Sequence, residues 1–184
     1  MIVRAILAPP LAALLCAAAP PLSFAPVAPE YAEAAGEYRR LWAAEGPRIV
    51  AAMESATGLT FPAERVDVIV SEGRPMASFD GRTIRLRASY SPAYKKATLV
   101  HELGHRLAFT FPNRGGLDDH RLLYLFLYDV WADLYGRDFA DRMVSIERRI
   151  GPAYDDAWTW ALAMTREQRQ AGLTRLKLRS LPRV

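Results

Sequence analysis

Thr98-Leu99-Val100-His101-Glu102-Leu103-Gly104-His105-Arg106-Leu107-Ala108 carries the pattern H-E-x-x-H in a stretch with helical spacing, and it holds two of the chain's three histidines. On a helix, His101 and His105 lie one turn apart, about 40° around the axis and about 6 Å along it. Two imidazoles at that offset can converge on one ion from the same face. Glu102, rotated by about 100°, falls outside that pair. It can face a water at the metal, where the general base of a hydrolysis belongs.

The flanks support a helix. Ser91-Pro92 opens it, with serine as N-cap and proline at the first helical position. Leu99, Val100, Leu103, Leu107 and Phe111 form its apolar face. Gly104 costs about 1 kcal/mol relative to alanine inside a helix, so it is expected where another backbone approaches closely. Pro112-Asn113-Arg114-Gly115-Gly116 ends the helix in a loop. Asp118 or Asp119 can cap the next helix, which is expected to run from His120 to a stop at Gly136. Leu122, Leu125, Phe126, Val130 and Leu134 give it a wide apolar side, interrupted at the edge by Asp129 and Asp133. A carboxylate in apolar surroundings needs a cation or hydrogen-bond donors; a metal and a metal-bound histidine would supply both.

Upstream, residues 66–70 form a β-branched run, and residues 76–79 and 82–87 flank Asp80-Gly81, a hairpin signal. Apolar residues alternate with arginines over 82–87, as in an outer strand of an antiparallel sheet. Residues 29–57 are helical in pattern, with Gly46-Pro47 predicting two helices or one sharp kink, and Gly58 a stop. Residues 139–178 are helical with a break at Gly151-Pro152, and Thr165-Arg166-Glu167-Gln168 has the form of a capping box. Trp158 and Trp160 read as core or groove lining. The expected fold class is α+β, mainly helical, with a small antiparallel sheet packed on the motif helix.

The chain has 184 residues, 51% of them apolar and 24% charged, which describes a globular domain. Its 21 arginines and 3 lysines are interleaved with 20 acids, with no compact basic run. That pattern is a solvated surface, and no nucleic-acid partner is expected. Residues 1–28 read as an export leader: Arg4, an apolar stretch, then small residues offering cleavage at 17–19 or 25–28. Prolines 9, 10, 20 and 21 break any helix long enough to span a bilayer. A single domain is expected over 29–184, exported to a periplasmic or secreted location, with an uncleaved tether as the alternative. The one cysteine, Cys16, lies in the leader, so the domain has no internal disulfide.

With H-E-x-x-H on one helix and acids on the next, the chain resembles the gluzincin branch of zinc metallopeptidases over about residues 83–136. These are the thermolysin-like enzymes and their compact relatives, and a zincin-like fold is implied. Tyr128-Asp129-Val130-Trp131-Ala132-Asp133-Leu134-Tyr135-Gly136 looks like that family's N-E-x-x-S-D-x-x-G pattern, with aspartate where the family has glutamate. The resemblance implies Zn2+ held by His101, His105 and Asp129, with Asp133 hydrogen-bonded to a ligating histidine. His120 is the rival third ligand or, with Tyr124 and Tyr128, a donor to the oxyanion. After His105 the chain lacks the glycine and third histidine of a metzincin.

The implied activity is peptide hydrolysis by a water at zinc, with Glu102 as general base and a peptide or protein as substrate. The strand at 83–87 would align an extended substrate by edge pairing. A second class of reading is a non-catalytic exported module, with a structural zinc or a partner-binding helical surface. A closed site with four protein ligands would favour that module, and a cleft beside Glu102 the enzyme. A third is latency, with the N-terminal helix covering the cleft.

Overall fold

The motif helix α2 (Pro92–Ala108) lies at the centre of the molecule, with its residues buried almost without interruption from Ala97 to Ala108. The Ser91 side chain accepts the Tyr94 amide and Pro92 occupies the first turn, as its sequence dictates. The computed structural model describes residues 19–111 and 113–178. The expected leader through residue 18, with Cys16, and Pro112 of the loop after α2 lie outside the described residues.

On one side of α2 stands a four-stranded sheet in the order β1-β2-β4-β3. The strands are β1 (Leu22–Pro26), β2 (Val66–Ser71), β3 (Met76–Ala77) and β4 (Thr83–Arg87). The expected antiparallel sheet is corrected to a mixed one: β1, β2 and β4 run parallel, and only β3 is antiparallel to β4. Alternation suggested antiparallel pairing because it marks a sheet covered on one face. Here Val66, Val68, Val70, Ile84 and Leu86 are buried while Asp67 and Arg85 are exposed, so parallel strands produce the same pattern. β4 is also not an outer strand, since β2 and β3 flank it. The Asp80-Gly81 hairpin forms, with Gly81 at φ +67° and the Ser78 amide bonded to the Thr83 carbonyl at 2.9 Å.

β1 falls inside the segment read as leader. Its register pairs Leu22 with Val66 and Pro26 with Val70, and Phe24 is buried against Tyr38. The domain boundary placed at residue 28 therefore cuts off an edge strand. A parallel partner needs a long crossover, and α1 (Ala32–Thr57) supplies it. Instead of two helices, residues 32–57 form one helix with Pro47 inside it, ending at Gly58 with φ +62°. An interior proline costs about 3 kcal/mol; burial of Tyr38, Ile49, Val50 and Met53 on both sides of it opposes a break.

The other side of α2 is helical: α3 (Asp119–Tyr124), α4 (Leu127–Tyr135), α5 (Arg137–Arg148), α6 (Pro152–Leu162) and α7 (Arg166–Leu178). Asp118 caps α3 by accepting the Arg121 amide. Thr165 and Gln168 exchange side chain–amide bonds at 2.8 and 3.3 Å, completing the box before α7. The single helix expected from His120 to Gly136 is two, broken at Leu125-Phe126, where Phe126 leaves helical geometry at φ −136°. Gly104 does permit a close approach, but by a side chain: a Cβ there would lie 2.5 Å from Leu123 Cδ1. No helix among the described residues is long and apolar enough to cross a membrane.

Candidate metal centre

α2 presents His101 and His105 on one face, and α3 brings His120 to them. Their ring nitrogens offer three ligand atoms that all lie within 4.8 Å of one another. His101 Nε2 and His105 Nε2 are 3.1 Å apart. Nitrogens bound to one tetrahedral zinc at 2.0–2.1 Å would be separated by about 3.3 Å, so the motif pair is already close to that spacing. His101 and His105 are buried and His120 is partly so.

A carboxylate that the sequence reading did not single out fixes this arrangement. Glu147 of α5 lies 2.7 Å from His101 Nδ1 through Oε1. Its Oε2 accepts the Tyr124 hydroxyl at 2.9 Å and the Trp158 indole N–H at 3.0 Å. Bonding Nδ1–H to a carboxylate selects the tautomer whose Nε2 lone pair is free for a cation. The sequence did contain a signal. Phe139, Ala140, Met143, Val144 and Glu147 share the buried face of α5, and a glutamate at the end of an apolar stripe needs partners.

Glu102 is 4% exposed, and its Oε2 is a buried atom with no hydrogen-bond partner. Burial, reinforced by the Glu147 charge, pushes its carboxyl up to about 7, against the opposing pull of His101, Arg74 and the Ala77 amide. Burial and the neighbouring His101 push His120 down to about 4. His105 is held well below the usual imidazole range by burial, His101 and His120. His101 alone is raised: burial opposes its charge, but Glu147 outweighs that penalty. His105 Nδ1 is also buried without a partner. Three imidazoles, two of them held neutral, form a donor set that could hold a metal ion, and nitrogen donors of this kind are ones that zinc accepts.

The two acids expected around the metal are elsewhere. Asp129 is buried in a two-pronged pair with Arg169 of α7, at 2.7 and 3.1 Å, and lies outside the histidine cluster. Asp133 forms an exposed pair with Arg166 at 2.6 and 2.8 Å. Separation of α3 from α4 gives His120 and Asp129 different neighbours, so His120 and not Asp129 stands beside the motif pair. Tyr124 is committed to Glu147, and Tyr128 donates to Asp141 at 2.9 Å, which removes both from the expected oxyanion role. Trp158 is fully buried, stacked on Tyr124 at 3.7 Å, and belongs to the core.

A cleft passes the centre as two lobes of about 410 and 480 Å³, both reached by Arg74, Pro75, His101, Glu102 and Tyr154. The first extends past Arg87, Tyr90 and Tyr94 to Glu147; the second extends past Met76, Ala77, Phe79 and Phe109 to His120. No residue of α1 lines either lobe, so the cover by the N-terminal helix on which the latency alternative depends is not the arrangement found among the described residues.

Comparison with known protein families, curated proteins and solved structures finds no match to this chain.

Proposed function

We propose that the protein is a zinc-dependent peptidase whose metal is held by His101, His105 and His120. The observation that carries this reading is the meeting of a third imidazole, from a separate helix, with an H-E-x-x-H pair whose glutamate faces a cleft with an unpartnered oxygen. Three protein donors leave a coordination position open, the mark of catalytic rather than structural zinc sites. That count and the two-lobed cleft favour an enzyme over a structural-zinc module. The proposal keeps the metallopeptidase class but not the gluzincin ligand set, because Asp129 is occupied by Arg169.

A bound zinc would supply Lewis acidity at the scissile carbonyl and lower the pKa of a coordinated water. Glu102 Oε2 accepts the proton of the attacking water and returns it to the leaving amine. Burial raises its carboxyl above the usual range, and the charge of a bound zinc would oppose that rise, favouring the carboxylate that acts as base. Glu147 keeps the His101 ring oriented. An extended substrate aligns on β3, the edge of the sheet, whose Met76 and Ala77 line the second lobe; β3 occupies the edge of β4 expected to do this. The N-terminal segment is read as an export leader, and cleavage near residues 17–19 keeps β1 in the domain.

Metal content and turnover test this together. Purified protein is expected to hold about one zinc per chain, lost in His120→Ala and retained in Asp129→Asn. Glu102→Gln keeps the zinc and loses about 10²–10⁴-fold in turnover. Zinc retained by His120→Ala, or full activity in Glu102→Gln, overturns the assignment.

A further inference from the structure

The first lobe of the cleft has two arginine walls, each backed by tyrosine. Arg74 donates from Nη2 to the Tyr154 hydroxyl at 2.9 Å, and its guanidinium lies 5.9 Å from that ring's centre. Tyr154 itself packs on His120 with ring centres 4.3 Å apart, so Arg74 is tied to the candidate metal centre through one aromatic side chain. In the same lobe, the Arg87 guanidinium lies 5.8 Å from the Tyr90 ring centre.

Their charges differ. Arg87 is paired with Glu72 at 3.0 Å. Arg74 is exposed and meets a phenol, with no carboxylate partner among the described residues. The acids of the lobe act on it only at a distance: Glu102 attracts Arg74 through space, and among the described residues no carboxylate oxygen is in hydrogen-bond contact with its guanidinium. Glu147 is fully engaged by His101, Tyr124 and Trp158, and Glu102 is buried at the reaction centre. A guanidinium held along one edge keeps its other N–H donors in a planar fork that matches a carboxylate.

We propose that the lobe walled by Arg74 and Arg87 takes a carboxylate of the substrate next to the scissile bond. This rests on the metallopeptidase reading above. Two sources carry the same chemistry: an Asp or Glu side chain flanking the cleaved bond, or a terminal carboxylate. Arg74 is the selecting group and Tyr154 its positioning residue.

The experiment measures kcat/KM of the zinc-loaded full-length protein on matched peptides: Glu against Gln beside the cleaved bond, and a free C-terminal acid against its amide. The acidic member of one pair is expected to be preferred by about tenfold or more, and the pair that shows it names the source. Arg74→Gln brings that ratio close to one, and Arg74→Glu shifts preference to the matching Lys peptide. Equal rates in the wild type overturn the proposal. So does a preference that survives Arg74→Gln, because Arg74 would then not be the selecting group. Absence of turnover on every peptide would count against the peptidase reading. The same acid and neutral pairs, bound to zinc-loaded Glu102→Gln protein, then decide the role of Arg74: loss of selectivity in Arg74→Gln supports it, and unchanged selectivity overturns it.

Discussion

Glu147 and Asp129 are both buried carboxylates on the helical side of the molecule, yet they do opposite things. Asp129 meets a guanidinium in a two-pronged pair and is satisfied within the fold. Glu147 meets two neutral donors and one imidazole, and so holds a histidine by one nitrogen while leaving the other for an ion. A buried acid near a metal motif is therefore not evidence of a ligand. Its partners decide: an arginine closes the account, whereas an imidazole passes the interaction onward.

Variants can break that contrast. Asp129→Ala leaves Arg169 buried and unpaired, which costs about 3–5 kcal/mol. Denaturant unfolding should show that loss, while zinc per folded chain stays at the wild-type value. A parallel loss of zinc would mean that the pair and the centre are one unit. Glu147→Gln should have the reverse profile, with zinc affinity falling about 10–100-fold, measured by competition with a chelator. Its stability should fall by about 1–3 kcal/mol, since one amide oxygen cannot accept from three donors. Unchanged affinity would reduce Glu147 to a core residue. The smallest effect is expected at Gly104→Ala, where the new methyl meets Leu123 of α3. Overpacking of that kind costs about 1–3 kcal/mol, of which the better helix propensity of alanine offsets about 1 kcal/mol, and because His120 rides on α3, zinc affinity should fall with stability. A full loss of stability with no change in affinity would separate α3 packing from the site.

The parts of this arrangement that were legible in the sequence are those written in local chemistry. Ser91-Pro92, Asp118 and Thr165-Gln168 fix helix starts through their own side chains, and His101-Glu102-His105 needs only one turn of helix. The rest depends on partners far along the chain. Leu22 pairs with Val66 across the whole of α1, and five residues ending in proline at the end of an apolar leader give little local sign of a strand. The break at Leu125-Phe126 lies in an unbroken apolar run without glycine or proline, so periodicity carried one helix through it and set His120 and Asp129 on the same helix. Arg169, which claims Asp129, sits forty residues downstream.

Glu147 also joins the centre to an optical reporter. Its Oε2 holds the Trp158 indole N–H, and the Trp158 ring stacks on Tyr124 and on Trp131. Charge placed on His101 Nε2 by an incoming cation is felt across one imidazole and one carboxylate by a tryptophan buried away from solvent. Occupancy of the centre can thus be followed from within the protein, as a change in intrinsic emission on zinc addition that Trp158→Phe removes.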